Sequence, residues 1–303
     1  MAITAATKTS DFSGFLNRDQ SAAIFDQAAK QSVVQRLAQK VTLGINGQSI
    51  PVVTGKISAG WVAEGAAKPA SKGSVALKTM DPKKIAAIAV VSAEVVRANP
   101  GNYMNLIRPQ IAEAFATAFD AAALYGTNSP FATNLATGSS VQEFTGTTPA
   151  FTAVYDDLNA GLGTLVNAGK RLTGWAFDNR MEPVLNGAKD SQGRPIFVET
   201  FQSGATETAE AIRAGRILGR NAFIGDGVYD ATSKTYGFAG DWSQVAWGAV
   251  GGINYSVSTE ATVTINGVLT SLWENNLVAV LAEAEYGFLV NDPASFVKFT
   301  NAA

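Results

Sequence analysis

The chain has 303 residues, of which 47% are hydrophobic and only 16% charged, against roughly 25% charged in an ordinary soluble protein. It contains neither His nor Cys, which excludes Ser-His-Asp and Cys-His nucleophile systems, disulfides and the usual zinc sites. A formal net charge of -2 with no run of basic residues argues against tight sequence-specific binding of nucleic acid by phosphate neutralisation.

A chain of this length can bury a large core and has room for two domains. One so poor in charge must hide much of its surface. No apolar run reaches the roughly 20 residues that a membrane helix needs; the longest, Ile85 to Val96, is interrupted by Ser92 and Glu94. Burial against other copies is the remaining outlet, because permanent interfaces resemble domain cores cut in half. The composition therefore points to an obligate assembly and away from a membrane. The first residues, MAITAATKTSDFSG, do not form a secretory signal.

Residues 1–18 are small and polar, with isolated Phe12 and Phe15, and read as an extended arm. Asp19 is placed to cap a helix carrying Ile24 and Ala28. Ser32 and Gln35 form a capping-box pattern ahead of Val33, Val34, Leu37 and Val41. Neither helix has enough apolar face to fold alone, so each needs a partner elsewhere in this chain or in another. From Ile50 the pattern becomes strand. Ile50, Val52 and Val53 lead through Gly55 to Trp61 and Val62, and after Glu64 to Gly73 the residues Val75, Leu77 and Thr79 alternate with Ser74, Ala76 and Lys78. These arms and their Gly-, Pro- and Lys-rich tip make a long hairpin that needs a neighbour to lie on. Asp81-Pro82 ends it, and Lys84 to Ser92 reads as a strand buried on both faces.

The longest and most regular segment runs from Asn102 to Tyr125. Met104, Ile107, Ile111, Phe115, Ala118, Phe119 and Ala122 form one apolar stripe at helical spacing, with Asn102 as a cap and Gly126 just past the end. Pro109 implies either a bend or a true start near Arg108. Residues 127–148 read as a loop with a short strand near Val141. Phe151, Val154, Leu158, Leu162 and Leu165 return to helical spacing, ended by Gly169. A strand at Thr173 to Phe177, a short helix behind Asp178 and a turn at Lys189 to Ile196 follow. Residues 203–221 are ambiguous. Ile253, Tyr255 and Val257 mark a strand, and Asn266-Gly267 a two-residue hairpin. A long strand runs from Leu277 past Glu283 and Glu285 to Val290, and Asp292-Pro293 turns into a last strand, Phe296 to Phe299. The mixture reads as α+β with a split domain.

The chemistry searched for is not there. Gly163 lies six residues before Gly169, one too many for a phosphate-binding loop, and Lys170 is followed by Arg171. The Gly248–Gly252 cluster lacks the strand-then-helix setting of a dinucleotide site. Glu283 and Glu285 share a strand face, as an acid–base pair would, but such alternation is the ordinary mark of a solvated or salt-bridged sheet. Lys68 and Lys72 at the hairpin tip, with Glu64, fit either a soluble tip or contact with a neighbouring subunit, in which charges at the rim fix register. No catalytic, cofactor-binding or metal site is implied.

Six stretches in order carry a resemblance. They are Trp61-Val62-Ala63-Glu64-Gly65; Pro82-Lys83-Lys84-Ile85 leading to Val91-Ser92-Ala93-Glu94; and Asp120-Ala121-Ala122-Ala123-Leu124-Tyr125-Gly126-Thr127. Then come Trp175-Ala176-Phe177 with Lys189 to Pro195, Gly240-Asp241-Trp242-Ser243, and Asp292-Pro293-Ala294-Ser295-Phe296-Val297. From about residue 19 to the end, the chain resembles the major capsid proteins of tailed bacteriophages, the Hong Kong 97-type shell proteins. The resemblance implies an N-terminal arm (1–45), an E-loop hairpin (46–83), a P-domain (84–130 and 245–290, spine helix 102–125) and an A-domain (131–244 and 291–303). It also implies hexamers and pentamers in an icosahedral shell around double-stranded DNA, located in the virion and assembled in the host cytoplasm. Partners would be a separate scaffolding protein, a portal and a decoration protein. Trp61, Glu64, Lys68 and Lys72 are the expected contacts between subunits. Some relatives join an E-loop Lys to a P-domain Asn with help from a Glu; the residues on offer here are Lys68 or Lys72, Asn275 or Asn276, and Glu283. Two other readings remain at this point: an encapsulin-type cargo compartment, and a His-free hydrolase.

Overall fold

The computed structural model describes residues 32–55, 58–64, 67–68, 70, 73–94, 100–147, 150–189, 192–199 and 212–301. The helix expected behind Asp19 lies outside the described residues. The second expected helix, α1 (Val33–Leu37), is short, and Ser32 caps it by accepting from the Gln35 amide at 3.0 Å. Its partner is in this chain, since Val33 and Val34 are fully buried in the main core. Strand β1 (Gln39–Lys40) follows. The long hairpin is β2 (Gln48–Gly55) with β3 (Ser74–Met80), in antiparallel register from Gln48–Met80 to Gly55–Ser74. Trp61 and Val62 lie beyond the ladder, in the tip, and not in a strand.

Strand β4 (Lys83–Ser92) differs from expectation. Ile85, Ala87 and Ala89 pack on the core, but Ala86 and Ile88 on the other face are exposed in the lone subunit. A helix covers one side of this sheet, and nothing within the described residues covers that part of the other. Helix α2 (Pro100–Tyr125) has 26 residues. It starts at Pro100, which places Asn102 inside the helix; Pro is well suited to a first turn, where its missing N–H costs nothing. Pro109 is accommodated inside the helix without ending it.

After α2 come β5 (Ser140–Glu143), β6 (Gly146–Thr147), β7 (Ala150–Phe151) and helix α3 (Val154–Asn167). Phe151 therefore belongs to a small ribbon ahead of the helix. Next are β8 (Gly174–Asp178), α4 (Glu182–Gly187), β9 (Phe197–Glu199), β10 (Arg213–Ile217), β11 (Arg220–Gly225) and β12 (Thr235–Gly240). The ambiguous 203–221 stretch thus resolves, where described, into strand. The chain closes with β13 (Val245–Ala249), β14 (Asn254–Ser258), β15 (Thr262–Ile265), β16 (Val268–Ser271), β17 (Leu277–Val290) and β18 (Phe296–Thr300). Asn266 and Gly267 turn β15 into β16 with φ of 50° and 81°, the left-handed pair that a tight hairpin requires.

Two sheets organise the chain. The first is built on β17, which pairs with β4 from Leu277 to Tyr286, with β14 from Ala279 to Glu283, and with β13 from Tyr286 to Val290; β1 joins β13 in parallel. The second has seven strands in the order β5-β18-β12-β8-β11-β10-β9. Leu158 and Leu165 of α3 share one core with Trp175, Phe177 and Phe299 of that sheet, and Gly161 has no side chain because a Cβ there would meet the Phe299 ring at 2.5 Å. Three aspartates act as caps at strand ends. Asp178, Asp241 and Asp292 accept from the amides of Arg180, Ser243 and Ala294 and start the turns after β8, after β12 and before β18.

Helix α2 lies between the sheets. Phe119 meets Tyr286 and Phe288 of β17 at ring separations of 5.2 Å and 5.8 Å, while Tyr125 meets Phe238 of β12 at 5.5 Å. On its flank Asp120 is buried. It accepts from Ser32 Oγ at 2.6 Å and from the Val33 amide at 3.0 Å, and so holds the start of α1. Burial pushes its carboxyl up to about 7 despite these donors. The folded form therefore holds a proton that the unfolded form, near 3.8, has already lost, and stability should fall by a few kcal/mol between about pH 4 and about pH 8. Asp120→Asn removes the charge and still offers both partners a bond, with Oδ1 accepting from the Val33 amide and Nδ2 donating to Ser32 Oγ. Urea melts of unassembled subunits should show that the variant loses this slope and is at least as stable as the wild type at the upper end.

Candidate assembly surface

The surface that distinguishes this chain is apolar and concentrated on two hairpins. On β2–β3, Val75 and Leu77 point outward, Leu77 with 71% of its surface exposed, and Trp61 at the tip is fully exposed at 107%. On β15–β16 and the turn after it, Val268, Leu269 and Trp273 are exposed, Trp273 at 77%. Buried Trp, Tyr and Phe dominate interface energetics, so exposed tryptophans on projecting ribbons are anchors in want of a partner.

The long hairpin exposes Trp61, Glu64 and Lys68 toward its tip and is fixed at its base. Met80 is buried with Leu43 and Leu289, and Ile50, Val41 and Val250 pack around them. This seat depends on two glycines that face each other across β13 and β17, Gly248 and Gly287. A Cβ on Gly248 would come within 2.7 Å of the Val41 carbonyl, and one on Gly287 within 2.8 Å of Leu43 and Met80. Lys78 adds a charged strap, donating from Nζ to the Asn291 carbonyl at 2.5 Å. Of the Gly248–Gly252 cluster, Gly248 thus serves packing, while Gly251 takes a left-handed φ of 65° with open space around it.

The expected contact residues fall where the hairpin places them. Trp61, Glu64 and Lys68 are all exposed at the tip, and Lys72 lies outside the described residues. Glu283 is committed to Lys84 at 2.8 Å across the β4–β17 pair. The Asn275 side-chain amide donates to the Ser271 carbonyl at 2.9 Å, and Asn276 sits in a left-handed conformation with φ 54° just before β17. Asn276 and Glu283 are separated by half a strand, roughly 24 Å at about 3.4 Å per residue, so one subunit does not bring them together. Among the described residues no group of three His, Cys, Asp or Glu could hold a metal, and no helix is long and apolar enough to cross a membrane.

A groove of about 370 Å³ opens between β4, the C-terminal half of α2 and the loop after it. Phe119, Phe131 and Tyr286 form its floor, Ile85, Ala118 and Ala122 its walls, and Lys83 and Lys84 stand at its mouth. Neither this groove nor the exposure of Ile88 and Trp273 was readable from the sequence. Apolar residues at strand spacing do not disclose which face a helix will cover.

With this geometry in view, the comparisons are consistent among themselves. Residues 13–301 match the model of the Phage capsid family. The chain is 45% identical over 98% of its length to "Probable major capsid protein gp17" of Mycobacterium phage D29, covering 93% of that protein. It is 45% identical to the protein of the same description from Mycobacterium phage L5, over 98% of this chain and 92% of that one. Among solved structures, a chain of Gordonia phage Cozz matches 90% of this chain and 87% of its own length with TM-score 0.67 and 25% identity. A chain of Mycobacterium phage Adephagia matches 99% of both with TM-score 0.68, at 18% identity, a likeness of fold.

The hairpin seat yields a direct test. Gly287→Val should force Leu43 and Met80 outward and cost about 1–3 kcal/mol. Limited trypsin digestion of unassembled subunits should then cut at Lys78 faster than in the wild type, because the strap to Asn291 depends on that seat.

Proposed function

The chain belongs to the phage capsid family, and we propose that its copies assemble as hexamers and pentamers into the icosahedral shell of a phage head. Its role is that of a major capsid protein, a structural subunit and not an enzyme, in keeping with the 45% identical relatives that span nearly its whole length. The observation that carries this reading is the set of apolar side chains left exposed on two hairpins and beside them, Trp61 at the tip of one and Trp273 in the turn that follows the other.

In the terms of this fold, the β17 sheet with spine helix α2 serves as the P-domain (84–130 and 245–290). The seven-stranded sheet serves as the A-domain (131–244 and 291–303), β2–β3 as the E-loop (46–83), and residues 1–45 as the N-terminal arm. Trp61, Glu64, Lys68 and Lys72 are the contacts that the E-loop offers to a neighbour. The shell encloses double-stranded DNA without reading its sequence, which suits a net charge of -2. A separate scaffolding protein, a portal and a decoration protein are the proposed partners, with assembly in the host cytoplasm.

Replacing Glu64 to Gly73 by a short Gly-Ser turn tests the central claim. The base of the hairpin holds itself through Met80 and Lys78, so circular dichroism and thermal melting should find the subunit folded nearly as before. Sedimentation and electron microscopy should find shells absent or weakened. Shells of normal size and stability from the shortened chain would contradict the role given to the tip.

A further inference from the structure

We propose that Trp61 of one copy inserts into the groove floored by Phe119, Phe131 and Tyr286 on a second copy of this chain. The inference rests on the shell-forming reading above and names the acceptor site for the hairpin tip.

Four observations converge on it. Trp61 is fully exposed, and the groove is apolar, open to solvent and about 370 Å³ in volume, ample for an indole. Its floor is aromatic. Phe119 stands 5.2 Å from Tyr286 and 6.0 Å edge-on from Phe131, an arrangement that a further ring can extend in tilted or edge-to-face contact. The charges match as well. Glu64 follows Trp61 by three residues, and Lys83 and Lys84 stand at the groove mouth. Lys84 remains more than half exposed beside Glu283, so its ammonium keeps donors to offer. Such rim pairs would set orientation while the indole supplies the anchor.

The partner must be another copy. The β2–β3 ladder spans about 20 Å from Met80 to Ser74 at roughly 3.4 Å per residue, and the tip carrying Trp61 lies beyond it. The groove starts at Lys83, next to the opposite end of that ladder. Each subunit therefore carries the anchor away from its own groove.

The chain contains no Cys, so an engineered pair is the only thiol chemistry present. Trp61→Cys with Ala118→Cys, a substitution at an exposed position, should be joined between copies by a short bismaleimide in assembled particles. Denaturing gels should show a ladder of multimers that neither single variant gives. Particles without a ladder would overturn the inference and leave the shell reading standing, whereas a wild-type chain that makes no particles would remove the reading itself. Should the double variant fail to assemble, acrylamide quenching of native tryptophan fluorescence decides. The wild type should lose on assembly a quenchable population that Trp61→Phe lacks from the outset. A Trp61 that stays fully quenchable in the shell would sink the proposal.

Discussion

Everything in the subunit depends on the burial of one stripe of α2 between two sheets. Phe115 and Phe119 close the face of the β17 sheet, and the last turn reaches the seven-stranded sheet through Tyr125, whose hydroxyl donates to the Val228 carbonyl. Without that helix each sheet would expose a face of aromatic residues, and neither could exist as a half-buried layer in water. Asp120 adds a third attachment to the same helix. Ser32 and the first amide of α1 offset only part of the cost of burying its carboxyl, which is why the group holds its proton to about pH 7. The chain entering from the N-terminal side is thereby fixed to the helix that fixes everything else.

Because the interior is closed by this helix, what remains outside is informative. A subunit with 16% charged residues has few groups with which to coat itself, and its surplus apolar surface has gone to ribbons and one sheet face. The core does not need those residues. Val75 and Leu77 contribute nothing to the seat that Met80, Leu43 and Leu289 form at the hairpin base. Within one hairpin, separate residues are thus buried at the seat and exposed beyond it, so the seat can form before a subunit meets a neighbour.

Much of this was legible in the sequence, for physical reasons that differ by element. The α2 stripe, the Asn266-Gly267 turn and the alternation in β3 and β17 are local patterns, and local patterns survive in one dimension. The tip with Glu64 and Lys68 was legible as a hairpin end, whereas Trp61 read as part of the strand arm and lies beyond the ladder. The start of α2 was not, because Pro100 and Asn102 both make acceptable first turns and only the fold selects between them. Asp120 stood out only as the first residue of a family-like stretch; its partner lies 88 positions away, and no periodicity reports such a distance. The exposure of Ile88 was misread for a related reason. A run of small and branched apolar residues in β4 fits a strand buried twice, and the single helix that covers it is a fact of topology.

The long strand β17 ties these features into one mechanical argument. Its 14 residues, at about 3.4 Å per step, make a rod of roughly 44 Å. Leu289 near its end supports the base of β2–β3, while Leu277 at its start packs with Leu272, Val263 and Ile265 beneath β15–β16. The two hairpins are therefore mounted at opposite ends of one strand that is paired along most of its length and clamped by α2. Their separation is a property of the core, insensitive to what either tip touches. In the proposed shell, contact at one end would constrain where the other end can bind, and the spacing would be set by a buried strand.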